Sequence, residues 1–319
     1  MPKQQQPGAA TAAASRLSSA PTTARAPRRI RVPFLLDVVL VDDLATITAL
    51  DADPALTRVV QHTGPLLNRL LSRRVARAFA IGGQALPTFT DRTDTGRARR
   101  QRDLETRLTR PDYDFADHAV ELAVLAEYVR GGGDAGTVGV AVQTIVGRLF
   151  DPGYRATPAT YEAARAVIGF PRMLPPRSWW WTVSGKLTRA QRLLAETARH
   201  DPAAIHATTN TIHNVVETLS RMRTSAVGSG ADLDAPSAVR RCLAPPPALL
   251  RWCRQAARVG GLATPLLPGT LVVMRLGRAH DALQDTESPF LVGQWNQCPA
   301  HRYVTALLAR VWTDAVRIR

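Results

Sequence analysis

Lysine is almost missing from this chain of 319 residues, occurring only at Lys3 and Lys186 among 41 basic residues. Arginine supplies the rest, and the formal net charge is +15. A skew of this kind, beside abundant alanine, fits a GC-rich coding sequence, and a bare charge excess supports only a non-specific claim on anions. Cysteine is scarce too. Cys242, Cys253 and Cys298 form no CxxC pair, which excludes a disulfide scaffold and a zinc ribbon and makes a reducing cytoplasm the expected home. No unbroken apolar run reaches the roughly 18 residues needed to span a bilayer. The longest candidate, Val32 to Ile47, is interrupted by Asp37, Asp42 and Asp43. Carboxylates are absent before Asp37 and again between Asp234 and Asp281. The second gap holds Arg240, Arg241, Arg251, Arg254, Arg258, Arg275 and Arg278, whose guanidinium groups need an anionic partner or open water.

Hydrophobic residues make up 45% of the chain, enough for a sizeable core. Residues 1–32 are rich in Ala, Ser, Thr, Pro and Gln and carry Lys3, Arg16, Arg25, Arg28, Arg29 and Arg31, so a disordered basic leader is expected there. It is equally readable as a transit-peptide-like segment or as a solvated leader with no address. Residues 33–319 read as a single, mostly α domain with a small β region. A strand-like run at Val38–Val41 precedes helical patterns near Pro65–Ala80, Gly96–Thr109, Ala116–Arg130, Thr137–Phe150, Pro158–Ile168 and Leu187–His200. A further helical piece is expected after Pro245–Pro246–Pro247 through Arg258. Gly269–Leu276 is a strand by its β-branched content, and Pro299–Val316 is an amphipathic helix. Core filling is the favoured role for Trp179, Trp180 and Trp181, against lining a groove.

The best helix is Pro202–Thr224, with Asp201 as N-cap and Ile205, Ile212, Val215, Leu219 and Met222 in helical register. Thr208 and Thr209 fall inside that stripe. They are either back-bonded to the preceding turn or a polar notch facing a ligand. Cys298 precedes Pro299 and a strong helix, which predicts an N-cap position where unpaired N–H groups favour the thiolate. The cluster Arg97–Arg110 reads as a solvated, salt-bridged helix rather than a nucleic-acid surface, because Asp91, Asp94, Asp103 and Glu105 interleave it. His206, His213 and Glu217 are a weaker metal option with no nameable third ligand.

Four segments together resemble the cytochrome P-450 family. Ala207-Thr208-Thr209-Asn210-Thr211 is similar to its oxygen-binding helix. Cys242-Leu243-Ala244-Pro245-Pro246-Pro247 is similar to the end of its ExxR helix, and Leu267-Pro268-Gly269-Thr270-Leu271-Val272-Val273 followed by Ala279-His280 to its "PxGT" strand. Phe290…Gly293…Cys298-Pro299-Ala300-His301-Arg302 resembles its cysteine loop, and Arg73-Arg74…Phe79 an earlier arginine-bearing helix. The chain departs from the pattern in several places. Val239 and Cys242 stand where the paired Glu and Arg belong, Ala207 where an acid precedes the threonine, and Asn296 two residues before the cysteine. Phe290 and Gly293 each lie one residue too far from Cys298, and the segment between His280 and Phe290 is short.

The resemblance implies a haem-thiolate monooxygenase or peroxygenase acting on a small apolar substrate, with haem b ligated by Cys298, whose thiolate favours O–O cleavage. It implies proton relay by Thr208 and Thr209, and haem contacts from Arg251, Arg254, Arg275 and His301. An external donor, a ferredoxin or reductase, or else peroxide, would supply electrons, and nucleic acid is not an expected partner. The other reading is a degenerate, non-catalytic P-450-like protein that binds a partner or nucleic acid through its basic surface.

Overall fold

The computed structural model describes residues 26–82, 84–108, 115–228, 232–283 and 285–317. Residues 1–25, most of the expected leader, lie outside them.

The chain enters through a hairpin. Strand β1 (Arg28–Val32) pairs antiparallel with β2 (Leu36–Val41), in register Arg28↔Leu40 to Val32↔Leu36. The expected leader therefore ends earlier than 32, because Ile30 and Val32 alternate with arginines in a pattern that β2 can pair. Helix α1 (Leu44–Ala52) starts at Asp43, whose carboxylate accepts from the Thr46 N–H, and it leads into the short strand β3 (Leu56–Thr57). Helix α2 (Leu66–Phe79) then runs to a two-stranded ribbon, β4 (Ala80–Ile81) and β5 (Gln84–Ala85). Helices α3 (Thr95–Leu108), α4 (Ala119–Arg130), α5 (Ala135–Arg148), α6 (Pro158–Gly169), α7 (Pro175–Val183) and α8 (Lys186–Thr197) follow.

The expected long helix is present but not uniform. It comprises α9 (Pro202–His206), a π-helical turn over Ala207–Thr211 and α10 (Ile212–Val227). After α11 (Ala235–Cys242) comes β6 (Leu249–Cys253), where the sequence predicts helix. Pairing decides that segment: β6 lies between β7 (Leu271–Met274) and β3, antiparallel to both. Since β2 and β7 are parallel, the sheet order is β1-β2-β7-β6-β3. Helices α12 (Leu276–Leu283) and α13 (His301–Val316) complete the chain.

Two cores result. Val39, Val41, Ile47, Leu50, Val272 and Met274 are buried under the sheet. A larger one gathers α4, α5, α6, α10 and α13 around Leu125, Ile145, Leu219, Leu308 and Trp312. Gly139 and Gly147 on α5 leave room for the rings of Tyr161 and Tyr154; a Cβ at either would fall about 2 Å from the ring. One buried amide ties this core to the π turn. The Gln143 side chain donates to the Thr208 carbonyl (3.0 Å) and accepts from the Thr160 hydroxyl (2.8 Å). The sheet meets α2 at a backbone crossing. Gly64 (φ +94°) and Gly269 (φ +85°) approach so closely that a Cβ on either would collide with the other's main chain, and the Asn68 amide bridges the carbonyls of Asp37 and Gly269.

Candidate functional site: a buried thiol beside uncompensated arginines

Cys298 sits at the end of a tight loop. Its N–H donates to the Phe290 carbonyl (2.8 Å), and Leu291 (φ 53°) and Gly293 (φ 80°) make the reversal. The N-cap of α13 is Ala300, two residues later than expected, because Pro299 and Ala300 form a turn before the helix starts. The Ala300 N–H still reaches the Cys298 sulfur. Burial nonetheless pushes the thiol above its ordinary value, against the opposing pull of that N–H and of Arg58. The expected depressed thiol is thus not the state of the protein by itself.

The loop is anchored by Trp295. Its indole N–H donates to the Asp51 carbonyl at the end of α1 (2.9 Å), and the guanidinium groups of Arg58, Arg92 and Arg97 lie 5.6, 4.8 and 4.5 Å from its ring centroid. Gln297 adds a tie to Glu105 on α3 (2.9 Å). Beside this stack, Arg251 on β6 makes a buried ion pair with Asp51 (2.5 Å), leaving the second Asp51 oxygen, Oδ2, without a partner.

Arg58 is the link between the elements. It emerges just past β3, donates to the Thr88 hydroxyl (2.8 Å), and keeps a buried Nε with no partner. Burial and the like charges of Arg251 and Arg97 hold its pKa well below the ordinary arginine value, opposed by Asp51 and by the Cys298 sulfur. Arg97 is shifted the same way, by burial and then by Arg251. Arg97 therefore turns inward from the expected solvated helix, while Arg100 pairs with Asp94 (2.6 Å) at the surface and Arg110 lies outside the described residues. On the far side stands His206, held near pKa 4 by burial and by the charges of Arg58 and Arg97, with Nδ1 3.0 Å from the Asn210 amide. The charge of Arg58 thus acts on the thiol of the cysteine loop and on the π-bulged helix alike.

Both threonines are fully buried. Thr208 donates back to the Ala204 carbonyl (2.8 Å), the bland option for a helix hydroxyl, whereas the Thr209 hydroxyl has no partner. Back-bonding therefore accounts for the Thr208 hydroxyl and not for that of Thr209.

The other expected contacts are placed elsewhere. Arg254 pairs with Asp91 (3.0 Å) and the Pro54 carbonyl, and Arg275 with Asp42 (2.5 Å), which also faces Arg278. Four of the seven arginines of the carboxylate-free stretch, Arg251, Arg254, Arg275 and Arg278, are therefore answered by acids from the first third of the chain. His301 stacks on Phe290 (centroids 5.0 Å apart), outside the arginine cluster. Trp179 and Trp180 are exposed rather than core, and only Trp181 packs inward. Among the described residues no three His, Cys, Asp or Glu side chains gather around a metal position, so His206 and His213 make no cage.

A site with one buried guanidinium group, two half-buried ones, one carboxylate in a direct ion pair and a thiol is short of negative charge. The Nε of Arg58 and the Thr209 hydroxyl are buried without a partner in the fold. This donor set fits a group that brings a thiophilic metal to Cys298 and carboxylates to Arg58 and Arg97.

No protein-family profile matches the chain, and no curated protein does. Solved structures do. A cytochrome P450 from a Streptomyces species aligns with 92% of this chain and 85% of its own at 13% identity and a TM-score of 0.59. P450BioI, in complex with an acyl carrier protein bearing hexadecenoic acid, aligns over 92% and 87% at 12% identity and 0.58. A cytochrome P450 from Novosphingobium aromaticivorans aligns over 96% and 88% at 14% identity and 0.57. At such identities the likeness speaks for the fold, and it agrees with the cysteine loop and the bulged helix found here: the chain has a cytochrome P450-like fold.

Proposed function

We propose that the protein is a haem-thiolate oxidoreductase, a monooxygenase or peroxygenase acting on a small apolar organic molecule. Haem b, when bound, supplies an iron centre that activates oxygen or peroxide. Cys298 is its ligand through the sulfur, and Arg58 and Arg97 hold its two carboxylates. Arg251, already neutralised by Asp51, orders that edge and is not itself the main anion contact. Anions arriving at Arg58 and Arg97 offset the cost of their burial and relieve their mutual repulsion. Thr209 holds a hydroxyl proton at Oγ1, free to bond a ligand on the helix side, while Thr208 is restrained by its back-bond. His206 stays neutral at neutral pH, its Nδ1 oriented by Asn210. Ile205 and Ile212 flank the bulge and supply apolar surface for the substrate. Electrons come from a ferredoxin, a reductase or peroxide.

The observation that carries this reading is Arg58: a crowded cation whose buried Nε has no partner, and whose charge reaches both the cysteine loop and the bulged helix. An absorption spectrum of the protein with added haem tests it. A Soret band and a thiolate-type ferrous–CO band, lost in Cys298→Ser, support the assignment; a protein that leaves the haem spectrum unchanged contradicts it.

A second reading rests on α11. Val239 and Cys242 are buried there, and no charged pair stands on that helix to brace the loop. A P450-like protein that keeps the shape without the chemistry would give no spectrum but would retain its charged surface.

A further inference from the structure

Three stretches of the sequence, residues 1–36, 54–90 and 163–195, hold no carboxylate. Hydrogen bonds join their described parts. The hairpin tip between β1 and β2 lends the carbonyls of Phe34 and Leu35 to the N–H groups of Leu66 and Leu67 at the start of α2 (3.0 and 2.8 Å). Two turns further on, Arg74 donates to the Phe170 and Met173 carbonyls, just before Leu174.

Apolar side chains at this junction point to solvent. Phe34 is 94% exposed, Leu174 76%, and Leu66, Leu67 and Leu70 between 41% and 45%. Phe34 also sits at φ 60°, a region that bulky residues avoid. The bend aims the tip carbonyls at α2, which accounts for the backbone; it does not account for an aromatic ring held in water. On α2 the exposed residues form one arc. Leu66 and Leu70 share a face at i,i+4, with Arg69 and Arg73 on the adjoining stripe at the same spacing. An apolar ridge flanked by arginines and free of acids matches the interface of an anionic bilayer, where rings and leucines enter the acyl boundary and guanidinium groups meet headgroup phosphates.

We propose that the β1–β2 tip and the exposed face of α2 form a docking surface for an anionic membrane, without any segment crossing it. No helix among the described residues is long and apolar enough to span a bilayer. The surface is independent of haem, and the test needs none.

The full-length protein is sedimented with vesicles of equimolar phosphatidylglycerol and phosphatidylcholine, and with phosphatidylcholine alone. Binding to the first and not the second is expected. Phe34→Asp and the double variant Leu66→Asp/Leu70→Asp should each lower the partition coefficient about tenfold. Arg69→Gln/Arg73→Gln, which spares the apolar ridge, should also lower it about tenfold. Val120→Asp, at a 76% exposed position on α4, should leave it unchanged. Thermal melting of each variant separates lost docking from lost folding, and the charge variant keeps the test valid if an aspartate variant fails to fold. The proposal is overturned if the parent ignores anionic vesicles or if the ridge variants bind as the parent does, which would leave the attraction to unspecific charge. It is equally overturned if those variants change only the oligomeric state, which would make the occupant a second copy.

Discussion

The sheet and the thiol site handle arginine in opposite ways. On the sheet, Arg29 makes a paired contact with Asp37, which also accepts from Thr270 (2.8 Å). Burial disfavours that carboxylate, but the bonds from Arg29 and Thr270 outweigh it and hold Asp37 below its usual range. Asp42 likewise serves Arg275 and Arg278. Beside Cys298, Arg58 and Arg251 are opposed by Asp51, and Arg97 by Asp51 and Asp94, yet all three are driven below the ordinary arginine range, with burial the largest cause. On the sheet, Arg29, Arg275 and Arg278 are answered by acids within the fold. Site cations are left short, which fits a ligand that carries its own negative charge.

The largest effects should come from unpairing buried charge in either region. Asp51→Ala, which leaves Arg251 beside Arg58 and Arg97, should cost about 3–5 kcal/mol in denaturant unfolding. The double variant Asp51→Leu/Arg251→Met should cost clearly less than that single change, because it removes both charges together.

Acid comes next. His206 and His213 are both held near pKa 4, burial being the main cause, against an ordinary value of 6.5. A depressed histidine binds fewer protons folded than unfolded, so its contribution is fully present above pH 6.5 and is lost as the pH falls toward 4. Each contributes at most about 3 kcal/mol over that window. Urea midpoints taken across it should fall in the parent and fall less steeply in His206→Gln, where His213 remains. A flat parent profile would mean that neither histidine is held down in the folded protein.

A smaller effect discriminates between the regions by sign. Arg58→Met should stabilise the haem-free protein by about 1 kcal/mol, since it removes a crowded, uncompensated cation. Arg29→Met should destabilise it, since Asp37 loses its partner. Thermal melts of the two variants compare them directly, and a loss of stability in both would erase the contrast. Least of all, Glu162→Gln, which breaks the exposed pair with Arg165, should change stability by less than about 0.5 kcal/mol.

Much of the helical layer was legible because its apolar spacing is regular. Val304, Leu307, Leu308, Val311 and Trp312 on α13 all reach the core, and Asp201 caps α9 through a side-chain oxygen. The β7 strand was equally plain in its run of valines. What failed was what depends on distant partners. Strand β6 is short and carries Arg251 and Trp252, and only β3 and β7 make it a strand. The pairing of Arg275 with Asp42 spans most of the chain, so a local gap in acids looked like uncompensated charge.

At the site, Cys298 and Thr209 stood out by their settings, but Arg58 did not. Its one signal is an arginine set among Leu56, Val59 and Val60 in a stretch without carboxylates, a pattern for a cation that is carried inward. Trp295, three residues before Cys298, likewise gave no sign that it anchors the loop to Asp51.

The central claim is that the shortage of negative charge around Arg58 and the thiol of Cys298 belong to one haem site. Haem titration of the parent, Cys298→Ser and Arg58→Met, followed by absorption with and without reduction under CO, tests it most directly. The account predicts saturable binding with a thiolate-type ferrous–CO band in the parent, loss of that band in Cys298→Ser, and weakened binding with the band retained in Arg58→Met. Parent protein that leaves free haem unchanged, or a band that survives in Cys298→Ser, would contradict it.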